Sequence, residues 1–548
     1  TASAGNSDTI SAEGQTNIQF RSIDTAGNVS AWAPANPGAG NTVKLDRTAP
    51  TDPTSVTGGS LSWTTAATTS VTASGATDSP GSGIANYQYH LSTDGGTTWG
   101  AATNGQTVNV TNQGQTIVQF RAVDGAGFTS NWFPSAPTAG STVQQDRTVP
   151  TTPIVAGGST NWQQVASVTV TASSSTDSGG SGLAGYQYRT STNAGVSWSN
   201  PASGNSISIT AEGQTLVQFR ALDNAGNATA WAPASATAGS TVKIDRTPPT
   251  DPSSVSGGSA TWSTAANEVI TGGGSTDSPG SGVASYQYRT STDGGVTWGN
   301  PTTGTSATIT NQGVTLVQFR AVDGSGLTSN WVPSSPTTGS TVELDRTLPT
   351  APTVTGGSTS WQSVASVTVS ASASTDSGGS GFAGYQYRTS TNNGVSWGST
   401  ANGSSVAISA EGQTLVQFRS TDNAGNASAW TPSAAGAGNT VKIDRTAPSD
   451  PTGMTGGSLS WQSVASVNVT ASGATDPTSG VASYQYRTST DSGTTWGTPA
   501  TGNPATITAE GQTLVQYRAV DGAGNLSNWF PAVPIAGSTV QIDRTAPG

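Results

Sequence analysis

Two short strings return through this chain about every hundred residues, and that period limits what the chain can fold into. "DRTAP" begins at 46 and recurs as "DRTVP" at 146, "DRTPP" at 245, "DRTLP" at 345, and "DRTAP" at 444 and 543. A second marker keeps step: "DTAGN" at 24, "DGAGF" at 124, "DNAGN" at 223, "DGSGL" at 323, "DNAGN" at 422 and "DGAGN" at 521. A spacing of 99 or 100 residues is too long for one solenoid unit and suits one small self-contained domain. The expected division is the back half of a repeat at 1–45, then repeats 1 to 5 at 46–145, 146–244, 245–344, 345–443 and 444–542, with 543–548 opening another. Because the chain starts without Met and in mid-repeat, it is expected to be a window on a longer array, with any signal peptide, anchor or head domain outside it.

Composition excludes several classes. The 548 residues contain no Cys, one Met and one His, which rules out a disulfide scaffold and thiol chemistry and suits a surface protein that avoids oxidisable side chains. A net charge of −11 with only three Lys argues against nucleic acid and anionic membrane as partners. No apolar stretch is long enough to enter and cross a bilayer. Charged residues are only 9%, yet 16 Trp and 11 Tyr sit at fixed phases of the repeat, so packed cores are expected rather than disorder.

Repeat 2 shows the local pattern. "VASVTVTAS" (165–173) alternates Val with Thr or Ser, and "YQYRTST" (186–192), "NSISIT" (205–210), "TLVQFRALD" (215–223) and "STVKID" (240–245) follow, each bounded by turn residues. These are short strands at roughly ten-residue spacing, without helical periodicity. Val217, Phe219 and Ala221 share one face with Tyr186 and Tyr188 opposite them, whereas Gln187, Arg189, Gln218 and Arg220 point outward. With strands near "PIVAGG" and after Trp198 the count reaches seven, the number of an immunoglobulin-like or fibronectin-like sandwich.

The order "GGS…W", "TDSGGSG", "YQYRTST", "GVSW", "AEGQTLVQFRALDNAGN" and "DRTPPT" resembles the immunoglobulin-like tandem repeats of large bacterial cell-surface proteins and adhesins. The resemblance covers the whole chain. It implies an all-β fold, a series of β-sandwich domains in an extended rod, used as a structural stalk or spacer at the bacterial cell surface.

In a fibronectin-like strand order the "DRT" Asp, the Asp of the loop between the second and third strands, and the Asp ending the sixth strand meet at one pole. The expected sets are Asp46, Asp78 and Asp124; Asp146, Asp177 and Asp223; Asp245, Asp277 and Asp323; Asp345, Asp376 and Asp422; and Asp444, Asp476 and Asp521. The facing pole of the preceding repeat is expected to add Glu13, Asp94, Glu212, Asp293 or Glu411. Clustered hard oxygens at a junction are what Ca²⁺ requires, and calcium there would stiffen the hinge. The alternative is that each Asp is a turn former or pairs with an Arg, and no D-x-D-x-D-G loop is present.

Trp162, Trp198 and Trp231 suit a core or lid, or a sugar platform. His90 stands where the other repeats have Arg189, Arg289, Arg388 and Arg487, and is expected on the solvent face. "GSG" strings without a following Lys or helix carry no phosphate chemistry, and without recurring His or Cys no enzyme is expected. Repeats 1 and 3 share "TDSPGSG" and "NQG" while 2 and 4 share "TDSGGSG" and "AEG", so the true period is a pair of about 199 residues. The connections are short and Pro-bearing, which predicts stiff joints. The expected partners are neighbouring repeats, other copies in a filament, or a glycan or host protein bound by a multivalent array or by regions beyond this window.

Overall fold

The computed structural model describes residues 2–546, so Thr1, Pro547 and Gly548 of the first and last expected segments lie outside the described residues. Alternating β-branched and polar residues give repeat 2 seven strands. They are β1 (Ile154–Ala156), β2 (Val168–Ser173), β3 (Leu183–Ser191), β4 (Ala202–Ser203), β5 (Ser206–Ile209), β6 (Gly213–Asp223) and β7 (Thr241–Ile244). One sheet has the order β1-β2-β5 and the other β4-β3-β6-β7, the fibronectin-like arrangement, and repeats 1, 3, 4 and 5 repeat both orders. The ladders of repeat 2 are antiparallel, and a parallel bridge between Gln163 and Ile244 ties the segment after β1 to the end of β7. The "GGS" string makes that crossing from one sheet to the other: Gly157 has φ +104°, and a Cβ on Gly158 would lie 2.4 Å from the Thr241 carbonyl oxygen.

The register places Phe219 opposite Tyr188 and Ala221 opposite Tyr186. Val168 and Val170 of β2, Ile209 of β5, Val217 and Phe219 of β6, and Val242 and Ile244 of β7 form the core, with both tyrosines packed against it. Repeat 5 puts Tyr517 at the Phe219 position, and its buried hydroxyl donates to the Val469 carbonyl at 2.6 Å.

The outer face of β6 is not open to water, contrary to the alternation read from the sequence. The chain between β6 and β7 doubles back, bridging Phe219 to Ala232 and Leu222 to Ala228. It covers Gln218, which is 7% exposed and donates from Nε2 to the Pro233 carbonyl at 2.7 Å. The back half-repeat has two paired strands, Gly14–Asn17 and Thr42–Leu45, and its Phe20, the counterpart of Phe219, is 43% exposed without the opposing sheet.

By packing, the chain divides into two compact units: Thr1–Pro249 with Thr276–Ala284 and Val322–Thr328, and Thr250–Ser275 with Ser285–Ala321 and Ser329–Gly548. Two loops of repeat 3 thus group with repeat 2. Among the described residues no helix is long and apolar enough to cross a membrane.

Removing the ring of Phe219 deletes the largest side chain of the repeat 2 core, so Phe219→Ala is expected to destabilise that repeat by about 3–5 kcal/mol. Hydrogen exchange should show β3 and β6 amides of repeat 2 losing protection while those of repeat 4 keep theirs; uniform protection would contradict the core assignment.

Candidate functional site at the repeat joints

Each joint is built from the dipeptide Asp–Arg that leaves the last strand of a repeat. Successive side chains of an extended chain point to opposite sides, and the two residues divide accordingly. Arg246 reaches back to repeat 2: Nη1 donates to the Ala166 carbonyl at 3.0 Å, Nη2 to the Thr210 carbonyl at 3.0 Å, and Nε to Glu212 at 3.2 Å. Asp245 reaches forward, its Oδ2 accepting the Ser281 N–H of repeat 3 at 2.8 Å. Arg147, Arg346, Arg445 and Arg544 make the same backward bonds to main-chain carbonyls.

The forward aspartates meet the other two of their repeat. In all five sets each Asp offers a carboxylate oxygen, and these oxygens lie within 4.8 Å of one another. In repeat 2, Asp146 and Asp223 are buried and Asp177 half-buried. Backbone N–H groups aim at them: Ser181 to Asp146 at 2.7 Å, Gly182 to Asp177 at 2.7 Å and Asn227 to Asp223 at 2.8 Å. Burial pushes the Asp146 carboxyl up, but the hydrogen bonds from Ser181 and Thr148 outweigh it and hold it below the usual range. Asp277 of repeat 3 goes the other way: burial raises it, and the charges of Asp245 and Asp323 add to the rise against the Gly282 hydrogen bond.

The clusters do not include the five acids expected from the facing pole. Glu13, Glu212 and Glu411 accept the main-chain N–H of Arg47, Arg246 and Arg445 and the hydroxyls of Thr48, Thr247 and Thr446, so the connector itself occupies both their oxygens. Asp94 and Asp293 cap their own hairpins. Asp94 accepts from Thr98 and Ser92, and the Thr98 hydroxyl and N–H hold it down to about 2; Asp293, bonded to Thr297 and Ser291, is lowered in the same way. Ion pairs join Arg246 to Glu212, Arg445 to Glu411 and Arg544 to Glu510.

Joints leading into repeats 1, 3 and 5 carry further contacts between bodies. A Cβ on Gly14 or Gly213 would lie 2.8 or 3.0 Å from the carbonyl oxygen of Pro80 or Pro279 in the next repeat. Gln164 Nε2 donates to the Ser325 carbonyl at 2.8 Å, and the Ser363 hydroxyl donates to the Asn525 side-chain oxygen.

Of the three tryptophans of repeat 2, Trp198 and Trp231 stack with arginine rather than forming open platforms, whereas Trp461, the counterpart of Trp162 in repeat 5, is 60% exposed. Arg189 lies 4.7 Å from the Trp198 ring and 4.6 Å from Trp231, and Arg220 also lies 4.6 Å from Trp231. Arg189 donates from Nε and Nη2 to Gln218, Arg220 likewise to Gln187, and Lys243 stands over Trp162. His90 is therefore not on a solvent face. It is 8% exposed, stacked between Trp99 at 4.2 Å and Trp132 at 3.6 Å, with Nε2 2.9 Å from Gln119 Oε1. The recurring pairing of Trp phases with Arg phases was the sequence signal for these stacks.

The fold and the joints define a tandem array of fibronectin-like β-sandwiches. No family model matches the chain. Exoglucanase B of Cellulomonas fimi is 34% identical over 299 residues, 52% of this chain and 25% of that protein, so the chain spans about a quarter of that relative's length. The FN1–FN3 domains of chicken CNTN1 align with 52% of this chain and 97% of their own at 14% identity and a TM-score of 0.20, a score too low to add to the sheet order itself.

Burial between the indoles holds the His90 imidazole below the ordinary histidine range, opposed by the Gln119 hydrogen bond and helped by Arg121. The unfolded chain, with a pKa of about 6.5, then binds the proton more tightly than the folded one. Stability of repeat 1 is full above that value and falls as pH drops below it. His90→Arg should remove this acid-side loss in thermal melts between pH 8 and pH 5; an unchanged profile would contradict the assignment.

Proposed function

We propose that this chain is a stalk segment of a large bacterial extracellular protein, a spacer that holds another module away from the envelope. The observation that carries the reading is the Asp–Arg connector, which leaves no free tether between sandwiches: one residue is bonded into each neighbour. The match to a quarter of Exoglucanase B supports a place as an accessory segment of a longer protein. The Cys-free, Met-poor composition supports an extracellular, surface-attached location. A non-enzymatic role is supported by the fate of the single His, which is stacked between two indoles and so poorly placed as a base. The arginines over the tryptophan rings leave the sugar-platform reading weaker than the spacer.

A spacer gains reach by repeat number. With strands of six to nine residues at ~3.3 Å per residue plus loops, a repeat is roughly 40 Å long. Deleting one pair, residues 146–344, is therefore expected to shorten the maximum dimension in small-angle scattering by about 80 Å. The intact chain should pass unretained over cellulose. Retention that weakens with the deletion would favour a multivalent glycan-binding array, and lateral bundles in electron micrographs would favour a filament subunit; either would overturn the spacer reading.

A further inference from the structure

The five aspartate sets are not equivalent, and the difference lies at the last position of the "DxxGx" string. Repeats 2, 4 and 5 have Asn227, Asn426 and Asn525 there. Asn227 Nδ2 donates at 2.7 Å to Asp223 Oδ2 and at 2.9 Å to the main-chain oxygen of Asp146, so one amide spans the cluster. Asn426 and Asn525 make the same two bonds. Repeats 1 and 3 have Phe128 and Leu327 instead, whose side chains cannot donate and whose main-chain N–H groups reach Oδ1 of Asp124 and Asp323, not Oδ2. Asp124 and Asp323 there are each 2% exposed, and their Oδ2 atoms have no hydrogen-bond partner among the described residues. A buried carboxylate oxygen without a donor is costly, and more so beside two further carboxylates.

We propose that the sets Asp46, Asp78, Asp124 and Asp245, Asp277, Asp323 are the chain's tight divalent-cation sites, and that in repeats 2, 4 and 5 the asparagine amide takes the position the cation holds. The carboxylates and the main-chain oxygen that the amide would otherwise bond form an all-oxygen donor set, with water completing the shell. That set, on loops rather than in a rigid octahedral cage, suits Ca²⁺ better than Mg²⁺. Asp476 Oδ1 of repeat 5 also lacks a donor, in a cluster that Asn525 already spans, and so does Asp376 of repeat 4 on either oxygen. There, however, Asn426 already joins Asp422 to the Asp345 carbonyl, and a cation would have to displace it.

Calorimetric titration of the full chain with Ca²⁺, after EDTA and dialysis, tests this. Two tight equivalents per chain are expected. Phe128→Asn with Leu327→Asn should weaken both by at least tenfold, and Phe128, 42% exposed, is replaceable without opening the core. The reverse change, Asn227→Leu, should add a third tight equivalent, a gain that misfolding cannot imitate. Five equal sites, no binding, or an unchanged titration in the Asn variants would overturn the proposal.

Discussion

Everything beyond the single sandwich depends on one property of extended backbone: neighbouring side chains face opposite ways. An Asp followed by an Arg at the end of the last strand must therefore serve two different bodies. Asp245 accepts from Ser281 ahead of it, and Arg246 donates to Ala166 and Thr210 behind it. The exposed ion pair to Glu212 contributes little by itself, about 0–1 kcal/mol. The carbonyls that the guanidinium satisfies matter more, because they end the preceding repeat's loops on fixed donors. Thr247 then returns its hydroxyl to Glu212, so three consecutive connector residues are committed.

Within each repeat the two sheets are held by different means on their two sides. Inside, Phe219 and the valines around it exclude water. Outside, the returning segment after β6 lays Trp231 between Arg189 and Arg220 and gives Gln218 a main-chain acceptor at Pro233. That cover fixes the loop in which Asp223 and Asn227 sit, which is how packing on one sheet sets the chemistry at the pole. The pairwise alternation of the repeats reappears as two kinds of joint. Glu212 with Pro279 marks one kind. At the other, Arg147 donates its main-chain N–H to the neutral Gln113.

The strands were legible because Val, Thr and aromatic residues alternate with period two, and a one-residue slip would have turned Phe219 outward. The meeting of three aspartates was legible too, since strand order alone decides which loops share a pole. The sequence could not say which neighbour Arg246 would choose; a pairing with Asp was as open as the backward reach to Ala166 and Glu212. Glu212 and Asp94 look alike as acids in turns, yet one faces the connector and the other is consumed by its own hairpin through Thr98. His90 was misplaced because period two assigns it outward and cannot register that Trp99 and Trp132 close over it. The significance of Phe128 against Asn227 needed coordinates, since only hydrogen bonding shows which carboxylate oxygen lacks a donor.

The most direct test of the connector uses the absence of Cys. Spin labels on Val395→Cys and Thr494→Cys, both exposed turn positions in successive repeats, report the joint at Asp444 and Arg445 by electron–electron dipolar spectroscopy. A fixed connector predicts one narrow distance distribution in the otherwise native chain and a broad one after Arg445→Ala. A broad distribution in the native chain, or a narrow one that survives loss of Arg445, would contradict the central role of the Asp–Arg pair.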